Sequence, residues 1–171
     1  MNQETFKNTV FVLKDGMYRF AKSILVDEDE AYDLVQEVMM KLWQKRETLL
    51  RIGNIEAFAM RCVRNDAMNR KKHAKVVQLY QESVIEGVTK EQYPAMTKEL
   101  ILRLIHALPE KQRTVMHLRD IEEYEINEIC EVMDMDERAV RVNLTRARQK
   151  VKAQLQKIFD YEKRQINGLG R

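Results

Sequence analysis

The sequence predicts an all-α protein of two small helical domains joined by a flexible linker, the C-terminal one containing a helix-turn-helix. Three observations point that way. Helix breakers are scarce, with 5 Gly and 2 Pro in 171 residues, while Ala, Leu, Met, Glu, Lys and Arg, which hold helix well, are plentiful. Apolar residues recur three or four apart along most of the chain, the spacing of a helix with one buried face. One stretch, Val76 to Pro94, loses that period and carries Gly87 and Pro94. The expected boundaries are residues 1–76 for the first domain, 77–95 for the linker, 96–164 for the second domain and 165–171 for a frayed tail. Each domain would hold about 75 residues, enough for a modest core only.

The elements follow in order. Phe6, Val10, Leu13, Met17, Phe20, Ala21 and Ile24 make one helical stripe, with Gly16 inside it. Asp27 to Asp29 interrupts the pattern and can cap the next helix. That helix is expected from about Glu30 to Arg46 and packs through Ala31, Leu34, Val35, Val38, Leu42 and Trp43. Its other face shows Asp33, Gln36 and Glu37, then Lys41 and Gln44. Acids lead and bases trail, as the helix dipole favours. The same acids also suit docking onto a partner protein. Asn54 can cap a third helix, Glu56 to Lys75, whose apolar side is Ile55, Phe58, Ala59, Cys62 and Val63. Its end carries Arg70, Lys71, Lys72 and Lys75, more positive charge than capping requires, which suits a nucleic-acid contact. A short helix near Gln78 to Ile85 would fit within the linker. Thr97 starts a helix with Leu100, Leu104 and Leu108 on its face. Pro109 ends it and begins another, because proline fits only the first helical turn.

Glu125 to Lys152 reads as a short helix, a tight turn and a long basic helix. Ile126, Ile129 and Met133 space the first helix, Met135 lies in the turn, and Asp136 can cap the second. Val140, Leu144, Ala147 and Val151 form its packing stripe, which Leu155 and Ile158 continue. Arg138, Arg141, Thr145, Arg148 and Lys152 form a second stripe, widened by Arg146 and Lys150. Nine Lys or Arg face three acids between Glu137 and Arg164. Arginine can donate two hydrogen bonds to guanine or to phosphate, and a helix fits the major groove.

Net charge is only +3, but it is laid out in signed blocks. Asp27 to Glu37 holds six acids and no base, and Asp120 to Glu137 nine acids without Lys or Arg. Such blocks suit recognition of more than one charged surface. Cys62 and Cys130 read as small buried groups in a reducing compartment. His73, His106 and His117 stand at no metal-binding spacing from the cysteines. No Gly-rich phosphate loop and no nucleophile, base and orienter set is present. Neither a signal peptide nor a membrane-spanning stretch is visible, so a cytoplasmic, non-enzymatic protein without cofactor or metal is expected.

Four segments resemble the extracytoplasmic-function group of bacterial RNA polymerase sigma factors, in the sigma-70 family, and together cover nearly the whole chain. Tyr18 to Trp43, with its core Asp33-Leu34-Val35-Gln36-Glu37, is similar to the polymerase-binding segment. Ile55 to Lys72 resembles the segment that opens and reads the −10 element. Ala107 to Asp120 resembles the start of the C-terminal domain, and Glu125 to Val151 the −35-reading helix-turn-helix. The resemblance implies that Asp33, Gln36 and Glu37 bind core polymerase. It implies −10 contacts by Arg61, Arg64, Asn65, Asn69 and Arg70, and −35 contacts by Arg138, Arg141, Thr145, Arg146 and Arg148. It implies core RNA polymerase and promoter DNA as partners, and many such proteins are held by an anti-sigma factor. Phe58 stands where the family usually has Trp, Asn69 where it has Asp, and Arg138-Ala139-Val140-Arg141-Val142 where it has Gly-Thr-Val-Lys-Ser. A homodimeric helix-turn-helix regulator acting without polymerase is the alternative, and a small helical adaptor or an inactive enzyme relative a third reading.

Overall fold

The structure, a computed structural model, describes residues 1–25, 27–80 and 98–168. Among them it forms α-helices and one 3-10 turn. An N-terminal cluster comprises α1 (Gln3–Thr9), the 3-10 turn (Phe11–Leu13), α2 (Lys14–Ile24), α3 (Glu28–Gln44), α4 (Arg46–Leu49) and α5 (Ile55–Tyr80). A C-terminal cluster comprises α6 (Lys98–His106), α7 (Glu110–Asp120), α8 (Ile126–Met133) and α9 (Glu137–Gly168).

The first stripe is not one helix. The Leu13 amide donates to the Val10 carbonyl at 3.1 Å, a three-residue closure that tightens the chain after α1. The turn keeps Val10 fully buried and sets Phe6 edge-on against Trp43, with ring centroids 5.0 Å apart. Beyond it, α2 buries Met17, Phe20, Ala21 and Ile24 against α3 and α5. α3 begins at Glu28, earlier than the spacing suggested, because the Asp27 carboxylate accepts from the Glu30 amide at 2.8 Å. It stops at Gln44, and Arg46–Leu49 folds into a separate turn that buries Leu49.

Asn54 caps α5 as expected, its Oδ1 accepting from the Ala57 amide at 2.9 Å. α5 continues to Tyr80, since nothing between Lys75 and Tyr80 breaks a helix. Its buried residues are Ala57, Ala59, Met60, Val63 and Ala67, with Phe58 and Cys62 only half-buried. The single apolar side read from sequence placed Met60 partly elsewhere. In fact α5 has two packed sides, one against α2 and α3 and one against α8. Residues 77–80, expected to open the linker and its short helix near Gln78 to Ile85, belong to α5 instead; the rest of the linker, residues 81–95, lies outside the described residues, as does the start at Thr97.

In the C-terminal cluster, Pro109 is the extended cap before α7 (φ −52°, ψ 143°), and no amide hydrogen bond is lost there. α7 buries five consecutive residues, Thr114 to Leu118. A helix covered on all sides is a central one, and α7 touches α2, α6, α8 and α9. α9 packs on it through Val140, Leu144, Ala147 and Val151, the stripe read from sequence. It runs on to Gly168, into the stretch expected to fray.

The two clusters also pack on each other. α8 lies against α5 and α7 against α2, and one continuous apolar cluster runs through both. A picture of two domains on a flexible tether does not anticipate this contact.

Candidate functional site

Three charged surfaces carry the residues singled out in the sequence. On α3, Leu34, Val35 and Val38 point into the core, which leaves Asp33, Gln36 and Glu37 exposed on the opposite side. Asp33 and Gln36 make no hydrogen bond or ion pair among the described residues. Glu37 does, because the Arg70 guanidinium of α5 reaches it at 2.9 Å and also donates to the Glu30 carbonyl at 3.2 Å. Lys41 of α3 likewise donates to Asp66 of α5 at 2.7 Å. That hydrogen bond raises the ammonium's pKa above its ordinary value. The acidic face is therefore braced against the basic helix beside it.

On α5, Arg64, Asn65, Asn69 and Arg70 follow one another at helical spacing, with Asn65 and Asn69 exposed. Arg64 leans on Asn65 at 3.4 Å. Arg61 is drawn away from them, toward the C-terminal cluster, where Asp134 accepts from it at 3.0 Å. The structure thus groups four of these five residues and assigns the fifth to the contact between clusters. Arg70 serves α3 first, and a nucleic acid would have to draw it from Glu37.

The helix-turn-helix is built by local capping. Glu125 and Glu128 form a reciprocal capping box at the start of α8, with the Glu125 amide donating to Glu128 at 2.8 Å. Asp134 ends α8 in the left-handed region (φ 53°), which aspartate tolerates better than most residues. The Asp136 carboxylate then caps α9, accepting from the Ala139 amide at 2.7 Å. With its apolar stripe buried, α9 presents Arg138, Arg141, Thr145, Arg146 and Arg148 outward. Arg138 and Arg146 make no ion pair among the described residues. Arg141 pairs with Glu137 one turn earlier at 2.7 Å, an exposed contact of small worth. Arg148 is tied back to Asp120 at the end of α7, with Nε 3.1 Å from Oδ2 and a second contact from Nη2 to Oδ1. It braces α9 on α7 and is the least available of the five.

The residues that sequence reasoning missed lie between the clusters. Glu122 sits in the bend after α7 with its side chain only 4% exposed. It accepts two hydrogen bonds from Arg19 of α2, at 2.9 and 2.6 Å. Its Oε1 also lies 3.4 Å from His117 Nε2, and His117 stacks on Phe20 of α2. The Tyr124 hydroxyl donates to Glu56 of α5 at 2.6 Å. Burial, then that hydrogen bond, push the phenol's pKa well up. No local pattern marks these residues, since Arg19 and Glu122 stand 103 positions apart. Among the described residues no group of three or more His, Cys, Asp or Glu is placed to hold a metal ion. No helix there is long and apolar enough to cross a membrane.

Comparison with known proteins agrees with this arrangement. Residues 13–76 match the family model for sigma-70 region 2, and residues 98–151 the model for sigma-70 region 4. The chain is 25% identical over 144 residues to the RNA polymerase sigma factor SigV of Bacillus subtilis (strain 168), covering 84% of this chain and 87% of that one. It is 26% identical over 170 residues to the ECF RNA polymerase sigma factor SigW of the same organism, covering 90% of each. Two solved structures share the fold. One is the sigma factor RpoE in complex with the anti-sigma factor NepR from Bartonella quintana, with a TM-score of 0.75 at 22% identity over 90% of this chain and 98% of that one. The other is CnrH in complex with the cytosolic domain of CnrY, with a TM-score of 0.67 at 20% identity over 91% of this chain and 90% of that one.

Proposed function

Since the chain belongs to the sigma-70 family of RNA polymerase sigma factors, in its extracytoplasmic-function group, we propose that it binds core RNA polymerase and directs initiation at promoters with −10 and −35 elements. The observation that carries this reading is the outward placement of two oppositely charged faces on different helical clusters. These are Asp33, Gln36 and Glu37 on α3, and the Arg138 to Arg148 stripe on α9.

Each face has one task. The α3 acids dock on a basic surface of the polymerase, where charge complementarity sets the encounter rate and the register. The outward stripe of α9 enters the −35 major groove, with Arg138, Arg141 and Arg146 the side chains best placed to reach base edges or phosphates. Arg64, Asn65 and Asn69 on α5 hold unpaired bases of the −10 strand, with Lys71, Lys72 and Arg70 neutralising the backbone nearby. Two modest sites on one chain raise each other's effective concentration, so together they select a promoter that neither selects alone. Nucleotide addition stays with the polymerase. RpoE and CnrH were solved with anti-sigma partners, and this chain is proposed to have a partner of the same kind, covering the same charged faces.

Binding to purified core polymerase tests the docking face. Wild-type chain should form a monomeric one-to-one complex with core. Asp33→Arg should weaken it by about tenfold or more, the scale of one reversed contact at a charged interface, while leaving the circular dichroism spectrum unchanged. Equal affinities would remove α3 from the docking role. A palindromic duplex bound by a dimer without core would replace the reading with that of a helix-turn-helix regulator.

A further inference from the structure

The 3-10 turn between α1 and α2 does more than interrupt a helix. It buries Val10 and turns Phe11 and Val12 outward, 50% and 64% exposed. Phenylalanine and valine are ordinarily interior residues. Here Phe11 forms part of a cleft of about 400 Å³ between α1 and the end of α3, lined by Gln3, Phe6, Lys7, Phe11 and Trp43. Clefts that take a ligand span about 300–1,000 Å³. Phe6 meets Trp43 edge-on there, with ring centroids 5.0 Å apart, and Trp43 is still 37% exposed. Exposed apolar surface gathered in one place marks a site where another molecule is received. Both α1 and Phe11 lie ahead of residue 13, where the match to sigma-70 region 2 begins, so the matched region does not include this wall.

Three cations surround the aromatic walls. Lys7 lines the cleft. The Lys14 ammonium lies 5.9 Å from the centre of the Phe11 ring and 5.3 Å from that of Tyr32. The Arg46 guanidinium lies 4.6 Å from the centre of the Trp43 ring. In the same cluster Lys22, Lys41 and Arg70 are paired with carboxylates. Lys7, Lys14 and Arg46 form no ion pair among the described residues. A cation over an exposed ring is held only weakly and stays free to take a carboxylate.

The cleft offers two side chains that hydrogen-bond, Gln3 and Lys7, too few to fix a small polar ligand. It offers apolar volume with positive charge around it. A nucleic-acid strand could stack its bases on the rings, but it carries a run of phosphates past the rim. Asp33 adjoins Tyr32 and Glu47 adjoins Arg46, both exposed, and these carboxylates oppose a polyanion longer than the cleft.

We propose that the cleft between α1 and α3 receives a partner protein through a short acidic segment that carries one bulky aromatic or aliphatic side chain. The apolar side chain enters between Phe11 and Trp43. Carboxylates before and after it pair with Lys7, Lys14 and Arg46. The charge required is the reverse of that required by Asp33, Gln36 and Glu37, so the two surfaces take oppositely charged segments. This recognition does not depend on the sigma-factor reading, since it uses neither α9 nor the α3 acids.

Trp43 is the sole tryptophan, so the emission of the full-length chain reports on the cleft. The probe is a short synthetic peptide with phenylalanine at its centre and glutamates on both sides. One control peptide replaces the phenylalanine by alanine, another replaces the glutamates by lysines, and oligothymidylate is titrated alongside. The glutamate peptide should shift Trp43 emission saturably. Either replacement should weaken binding by about tenfold or more, the scale on which an anchoring side chain or a charged contact counts at an interface. Phe11→Ala, at an exposed position, should weaken the glutamate peptide by a similar factor. Lys7→Glu combined with Lys14→Glu should weaken the glutamate peptide and tighten the lysine peptide, a reversal that general damage to the cleft does not produce. No saturable response, equal responses to the three peptides, a response to oligothymidylate alone, or a glutamate-peptide response that both variants retain would each overturn the proposal. If the double variant fails to fold, the peptide series on wild type and on Phe11→Ala decides the matter.

Discussion

The Glu122 carboxylate is held at about 2. Burial pushes it up, and the contacts with His117 and Arg19 more than offset that push. A carboxylate whose folded value lies below its ordinary 4.5 adds stability that is complete above the ordinary value and fades as pH falls toward the folded one. A depression of that size corresponds to roughly 3 kcal/mol at neutral pH. Urea unfolding of wild type and Glu122→Gln should therefore show a gap that is constant from pH 7 to 5 and narrows steadily between about pH 4.5 and 2. A gap independent of pH over that window would mean that Glu122 is not charged in the folded chain. At this scale the sequence was least informative. The exposure of Asp33, Gln36 and the α9 arginines was readable because each lies on a helix face opposite its own apolar stripe. The burial of Glu122 was not, because its partners Arg19 and His117 sit on helices while it lies in an acidic block that read as a surface for recognition. The same lack of three-dimensional context hid the engagement of Arg70 by Glu37 and of Arg148 by Asp120, both of which read simply as free positive charge.

Capping decides more of the element boundaries than apolar spacing does. Asp27, Asn54 and Asp136 each accept an amide hydrogen bond three residues on, and all three positions were legible from residue type alone. The break after α1 was not, since Phe6, Val10 and Leu13 keep helical spacing across a chain that has turned. The two packed sides of α5 were hidden because alanine and methionine serve either side. For the proposed function, Asp136 matters most among the caps because it sets where α9 begins. Asp136→Ala should cost about 1 kcal/mol in thermal or urea unfolding. It should also weaken duplex binding by fraying the turn that carries Arg138 and Arg141. A variant with full stability would show that α9 does not depend on this cap.

For the whole molecule, the all-helical fold and the order of its charged surfaces were readable, and the contact between clusters was not. Patterning identifies a buried face but not its cover, and α8 and α7 each bury a face that a partner from the other cluster shares. The packed arrangement leaves the α3 acids and the α9 stripe exposed while it draws Arg61 toward Asp134. In the proposed function, duplex affinity belongs to α9. Arg141→Ala should weaken binding of a −35 duplex by roughly tenfold, within the range of a lost arginine contact to base or phosphate, and binding should fall steeply with salt for both proteins. Unchanged affinity across several salt concentrations would remove Arg141 from the site. Run-off transcription from a randomised promoter library, with purified core polymerase and this chain as the sole initiation factor, tests the promoter-directing role most directly. Transcripts enriched for a pair of separated sequence elements, and lost with Asp33→Arg, are the expected result. A core polymerase that initiates no differently with the chain than without it would contradict that role.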